Sequence, residues 1–328
     1  MKNGKFVISL DFELFWGVRD KRTIENYGAN ILGVQQAIPA MLELFDRYGI
    51  KATFSTVGFL FAKNKEELIA YCPAVKPVYN DTNLSPYPEI PAIGNDEKDD
   101  PWHFGYSLLN RIRNNGKHEI GTHTFSHYYC LEPGQTAETF RQDILAAKKI
   151  AGDMGINVRS LVFPRNQFNE EYLAVCHETG IDSFRGNPSS WLYAGRNKND
   201  ESLFRRMLRF ADTYLNFSGH HCHSKEEMLA SQIINIPASR FLRPYSRKLS
   251  FLDGLRLRRI KQGMRHAAKT GQLFHLWWHP HNFGANLKEN IAFLEKIVQY
   301  YHSLNKQYDF SSITMSGLCD ELKEKADG

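Results

Sequence analysis

The chain has no long hydrophobic run. Its first apolar stretch, Phe6 to Leu10, gives way to Asp11 and is too short for the core of a signal peptide. No later segment approaches the roughly 20 apolar residues that cross a bilayer. Cysteine is scarce: five in 328 residues (Cys72, Cys130, Cys176, Cys222, Cys319), odd in number and widely spaced. That excludes a dense disulfide framework and fits reduced thiols. These absences lead to the expectation of a cytoplasmic protein. Charge of one sign is also nearly missing. A net +5 spread along the chain gives no footprint for nucleic acid, and no nucleic-acid partner is expected.

What remains is ordinary for a globular chain, 42% hydrophobic and 23% charged. The length suits two average domains or one barrel-sized domain. Lys5 to Leu10 reads as a buried strand. Ile31 to Tyr48 reads as a helix with Val34, Ile38, Met41, Leu42 and Phe45 at helical spacing, stopped by Gly49. Lys51 to Ser55 is a second strand. Helical patterns at 104–113, 136–154 and 169–178 then alternate with strand patterns at 118–122, 161–163 and 181–184. Strand candidates at 233–236 and 273–278 and a closing helix at 286–304 complete the series.

This alternation predicts an α/β fold, a distorted or incomplete (β/α) barrel. No linker separates two folded units, so one catalytic domain is expected over 1–328. Two excursions interrupt it. Residues 72–102 hold Pro73, Pro77, Pro86, Pro88, Pro91 and Pro101 and an acidic run at 96–100. Residues 187–270 read as a loop-rich, basic insertion. It ends in an amphipathic helix, Leu252 to Thr270, carrying Arg256, Arg258, Arg259, Lys261, Arg265 and Lys269. A solvated outer helix is the preferred reading of that segment, ahead of a phosphate, membrane-surface or partner site.

The chemistry-bearing residues sit where strands end. Asp11 and Glu13 flank Phe12 after the first strand, and alternation puts both on one side. One can bind a cation and the other can act as a base. His123 and His127 follow the strand at 118–122. If the chain turned into a helix there, their i, i+4 spacing would bring two imidazoles to one metal ion. Arg165 follows another strand, in Phe163-Pro164-Arg165-Asn166-Gln167, and can orient a carboxylate or bind an anion. In Phe274-His275-Leu276-Trp277-Trp278-His279-Pro280-His281, alternation aligns His275, Trp277 and His279. His279 can be a general acid. Trp277 or Trp278 can wall a sugar ring, with His281 beyond Pro280 beside it. A second cluster, His220-His221-Cys222-His223, resembles a metal site, but consecutive side chains rarely converge, and a substrate-loop role is preferred.

In this order the segments resemble the polysaccharide deacetylase family, carbohydrate esterase family 4, also called the NodB-homology domain. The resemblance runs from Lys5 to Phe283. Ser9-Leu10-Asp11-Phe12-Glu13 stands at the Asp-rich first motif, and Ala52-Thr53-Phe54 looks like the second strand. His123-Thr124-Phe125-Ser126-His127 matches the His-Ser/Thr-x-x-His motif, and the His279 strand stands at the last motif.

The resemblance implies a distorted (β/α) barrel of the polysaccharide deacetylase type and metal-dependent hydrolysis of N-acetyl groups on amino sugars. By position it makes Asp11 the base, His279 the acid and Arg165 the tether of the base. Glu13, His123 and His127 become ligands of a divalent metal, zinc by preference. His281 is the alternative to His279. Two departures stand out: Phe12 separates the acids, and the arginine motif reads Phe-Pro-Arg-Asn-Gln. Without an export signal, the expected substrate is an N-acetylated sugar on a glycan precursor, nucleotide- or lipid-carried, in surface polysaccharide or glycolipid assembly. The competing expectations are a metal-independent hydrolase of cyclic amides on the same scaffold and a non-catalytic carbohydrate-binding relative.

Overall fold

Lys5–Phe12 forms β1, and every one of its residues is buried. An uninterrupted buried run of this kind belongs to a parallel strand covered on both faces. The computed structural model describes residues 3–188, 190–193 and 202–324. Further strands are β2 (Ala52–Thr56), β3 (Glu119–Thr122), β4 (Ser160–Leu161), β5 (Ser183–Phe184), β6 (Ile234–Asn235), β7 (Arg240–Phe241), β8 (Leu273–Trp278) and β9 (Ser311–Ser312). They pair in parallel in the order β6-β5-β4-β3-β2-β1-β8-β7, with β9 also along β1.

One short stretch of chain serves both edges of this curled sheet. Ile236 N and Ala238 N donate to Phe184 O and Gly186 O, beside β5. Ser239 N and Leu242 N donate to His275 O and Trp277 O, on β8. The ring is therefore closed by a segment that changes partner halfway, which is the distortion of the barrel.

Helices fill the connections: α1 (Ile24–Leu32), α2 (Val34–Tyr48), α3 (Lys65–Tyr71), α4 (Tyr106–Asn115), α5 (Ala137–Asp153), α6 (Glu170–Glu178), α7 (Leu203–Asp212), α8 (Lys225–Met228), α9 (Asp253–Thr270), α10 (Leu287–Tyr308) and α11 (Met315–Glu324). Among the described residues no helix is long and apolar enough to cross a membrane. Phe6, Ile8, Leu10 and Phe12 face outward into the main core with Phe45, Met264, Phe274 and Ile297.

The barrel interior is graded. At its lower end Val7, Val162, Ile236 and Leu273 pack on Met315, Leu318 and Leu322 of α11. Two residues further along β1 the inward positions turn polar, at Ser9 and Asp11, both buried. Strand C-termini thus open onto a polar floor, where barrel enzymes place their chemistry.

Three expectations change. The long first helix is two helices, α1 and α2, and α1 starts well before Ile31. The basic helix is present as α9, but Arg256 and Arg259 point inward and are 4% and 2% exposed. Arg256 lies 3.9 Å over the Phe293 ring, so this face is not a free phosphate- or membrane-binding surface. The stretch 187–229, read as loop, contains α7 and α8; positions 189 and 194–201 of it lie outside the described residues. The proline-rich segment is a brace. Trp102 O and His103 O accept from Phe15 N and Trp16 Nε1, and Glu89 pairs with Arg19, so it supports the loop that follows Glu13.

Candidate metal and acid-base site

Glu13 leaves the end of β1 and turns back over the strand ends. Its carboxylate occupies the space beside Gly17: any Cβ there would overlap it. The Glu13 Oε2 lies 3.1 Å from His127 Nε2 and 3.3 Å from His123 Nε2. All three residues are buried, and their ligand atoms lie within 4.8 Å of one another. Donors about 2.1 Å from one zinc ion in tetrahedral array sit about 3.4 Å apart, close to this spacing.

The chemistry of the donors agrees. His123 Nδ1 lies 2.7 Å from the Val162 carbonyl oxygen, which can only accept, so Nδ1 carries a proton and the neutral imidazole presents its lone pair at Nε2. A carboxylate oxygen and an imidazole lone pair facing each other across a buried gap call for a cation between them. Burial pushes the His127 imidazole down to about 4, against the pull of Glu13, which keeps it neutral and available as a ligand.

The histidines converge by a different route from the one expected. Residues 123–127 form a turn rather than a helix, with Thr124 and His127 in the left-handed region at φ 63° and 58°. Buried Asp143 of α5 holds that turn, accepting from Phe125 N at 2.6 Å, from Ser126 N at 3.1 Å and from the Ser126 hydroxyl. Burial pushes Asp143 up to about 7, although all three donors oppose it.

Asp11 faces the same space. The expected tether, Arg165, does not reach it. Arg165 instead pairs with Asp20 and with Glu132 at 3.2 Å. It lies 4.0 Å over the Tyr129 ring, whose hydroxyl is 3.0 Å from His127 Nδ1, so it supports a ligand histidine. Arg185, one residue past β5, is the partner of Asp11, with two parallel bonds of 2.7 and 2.8 Å. Burial works to raise Asp11, but the Arg185 guanidinium, with His123 and His279 beside it, outweighs burial and holds the carboxyl below its usual range.

Arg185 is itself fixed. It lies 4.1 Å over the Trp277 ring and donates to Ser9 Oγ at 3.0 Å. The Ser9 hydroxyl donates to His275 Nε2 at 2.8 Å, and His275 Nδ1–H donates to Ile236 O at 3.0 Å. The sequence offered one signal for Arg185: an arginine directly after the Ile181–Phe184 strand pattern, in the same setting as Arg165.

His279 Nε2 stands 3.7 Å from both Asp11 Oδ2 and Glu13 Oε1, with Nδ1 3.2 Å from Asn282 Oδ1. His281 stacks on it at 5.0 Å, is buried, and is pushed down to about 3 by burial and by His279. Trp277 lines the cleft. Trp278 does not: it is fully buried on the opposite face against Phe45 and Phe283, so it is removed from the substrate-facing set. The histidines of the 220–223 cluster diverge, His220 toward Arg259 and His266, His221 toward Ser218 and His223 toward Glu227.

Comparisons with known proteins bear on the family and the fold. Residues 26–184 match the family model described as polysaccharide deacetylase, a span that includes His123, His127 and Arg165. The fold is similar to that of a protein described as a polysaccharide deacetylase from Mycobacterium smegmatis. That likeness has 12% identity and a TM-score of 0.60, over 99% of this chain and 92% of that one. A second, described as a polysaccharide deacetylase from Pseudomonas aeruginosa PAO1, gives 12% and 0.50 over 91% and 84%. Puue allantoinase gives 12% and 0.50 over 91% and 83%. No curated protein sequence matches the chain.

Proposed function

On the premise that the chain carries a polysaccharide deacetylase domain, we propose that it hydrolyses the N-acetyl group of an amino sugar. Glu13, His123 and His127 would hold one divalent ion, and two imidazoles with one carboxylate favour zinc. The observation that carries this is the facing of two sets across one cleft. A buried three-donor group on one side meets an Asp11 held ionised by Arg185 on the other, with His279 between them. A divalent ion bound there supplies Lewis-acid polarisation of an amide carbonyl and lowers the pKa of water.

The chain's own residues do the proton work. Asp11 accepts a proton from the attacking water, because Arg185 keeps its carboxylate free of one. His279, at the cleft edge with Nδ1 toward Asn282 Oδ1, hands a proton from Nε2 to the departing amine. His281, held neutral by burial, is the poorer proton donor. Trp277 offers the apolar wall for the sugar ring.

Cyclic-amide hydrolysis is the second reading, on the likeness to an allantoinase fold. The buried three-donor group favours the metal-dependent reaction over a metal-independent one. The test is acetate release from a panel of N-acetylated amino sugars by zinc-loaded protein. Release that disappears in Asp11→Asn supports the reading. Hydrolysis of a ureide with no acetate released from any sugar would move the chain to the second.

A further inference from the structure

Next to the cleft lies a second cavity of about 320 Å³. The two share Arg165, Asn166, Phe241, Trp277 and His279, so they form one continuous groove. Their charge is opposite. The cleft has Asp11 and Glu13 in its wall. Among the described residues the second cavity has no carboxylate in its lining, and it includes Arg165, Arg209, Arg240 and Arg243.

Arg165 is balanced by Asp20 and Glu132, whereas Arg240 and Arg243 are less fully paired. Arg240 is 6% exposed and shares a single carboxylate, Asp212, with Arg259, at 3.2 and 3.7 Å. Its Nε and Nη2 meet no acceptor. Arg243 donates from Nε to Thr213 Oγ1 at 3.0 Å and lies 5.4 Å over Phe210; among the described residues no carboxylate pairs with it. A cavity lined by several guanidinium groups, with no carboxylate among its described lining residues, matches a phosphoryl group.

The helix that borders this cavity is inside out. α7 buries Arg205 and Asp212 and leaves Phe204 and Met207 66% and 65% exposed. Trp191 before it and Leu215 and Phe217 after it are also at least half exposed, and Arg206 points to solvent. A helix of a water-facing surface buries its apolar side. Large apolar side chains turned outward beside arginine are the chemistry of a lipid headgroup boundary.

We propose that the amino sugar is presented on a lipid-linked phosphate. The phosphoryl group sits against Arg240 and Arg243, the N-acetyl group reaches the Glu13–His123–His127 end of the groove, and the apolar side of α7 rests in the bilayer surface. The identity of the reacting group rests on the deacetylase reading; the anion cavity and the lipid face stand on their own observations.

Two binding experiments on the full chain test this without requiring turnover. In calorimetry, N-acetylglucosamine 1-phosphate should bind at least about tenfold more tightly than N-acetylglucosamine, and Arg243→Gln should remove that preference. In flotation, the wild type should rise with vesicles of phosphatidylcholine and phosphatidylglycerol, and Phe204→Glu with Met207→Glu should lower the bound fraction more than about tenfold.

Equal binding of the two sugars by the wild type overturns the anion cavity, whatever the variants do. A phosphate preference without flotation means a soluble sugar phosphate and overturns the lipid carrier. Self-association that the double variant abolishes, in place of flotation, makes the face a protein contact and overturns it as well. A protein that passes both experiments yet releases acetate from no substrate would refute the deacetylase reading alone.

Discussion

Arg185→Gln separates the present assignment of the base and its partner from the one the sequence suggested. The pair is sealed, with Arg185 and Asp11 side chains 1% and 3% exposed. Removing one partner of a buried ion pair costs about 3–5 kcal/mol. At about 1.36 kcal/mol per pKa unit, that raises Asp11 by about 2–4 units.

The sign follows from the native state. Arg185 depresses Asp11, so the pair contributes stability above the carboxyl's unfolded value and loses it as pH falls through the folded value. In the variant, burial is opposed only by His123 and His279, and the balance shifts toward the protonated carboxyl. Urea unfolding should therefore show the full loss near pH 7 and a smaller one near pH 4, where the variant's Asp11 is protonated and is no longer a buried unpaired charge. The acid limb of kcat/KM should move up by a similar amount, about 2–4 units. An equal destabilisation at both pH values would mean that Arg185 acts by packing only. An acid limb that moves in Arg165→Gln and stays in Arg185→Gln would refute the reasoning outright.

Gly17→Ala should expel the Glu13 carboxylate, because a Cβ there overlaps it; metal affinity should fall by about 10–100-fold with far-UV circular dichroism unchanged. Asp143 holds a proton in the folded chain that the unfolded chain has lost between 3.8 and about 7. Its contribution to stability therefore declines as pH rises through that window, and Asp143→Asn should flatten the slope, by up to about 1.4 kcal/mol per pH unit, in denaturant titrations. His279→Ala should lower kcat by about 10²–10⁴-fold, and His281→Ala by much less, since His281 carries no proton to give near neutral pH; the reverse order in steady-state assays would exchange their roles.

Much of this site was legible because strand ends announce themselves. Buried runs stop at Asp11, Thr122 and Trp278, and the polar residues just beyond them converge. Spacing alone misled in the histidine motif. The i, i+4 pair meets through a left-handed turn held by Asp143, a residue whose own helix pattern gives no hint of that task. Arg165 and Arg185 each follow a strand, and only the register of β5 against β4 shows which one reaches Asp11. Trp277 and Trp278 are adjacent, and alternation decides that one lines the cleft while the other enters the core. Strands of two residues, such as β7 and β9, carry no periodicity to read. α7 does carry helical spacing, at Phe204, Met207, Leu208 and Phe210, and was passed over inside a segment read as loop-rich.

The central claim is that Glu13, His123 and His127 hold one divalent ion, and the most direct measurement is metal stoichiometry. Protein equilibrated with zinc or cobalt and freed of excess would be analysed for metal per chain, with the cobalt form also read by its visible spectrum. The account predicts about one ion per wild-type chain and a cobalt spectrum of tetrahedral intensity. It also predicts loss of both in Glu13→Ala and His123→Ala, and retention in Arg185→Gln. A wild type that takes up neither metal, or an ion that stays when Glu13 and His123 are each removed, would contradict it.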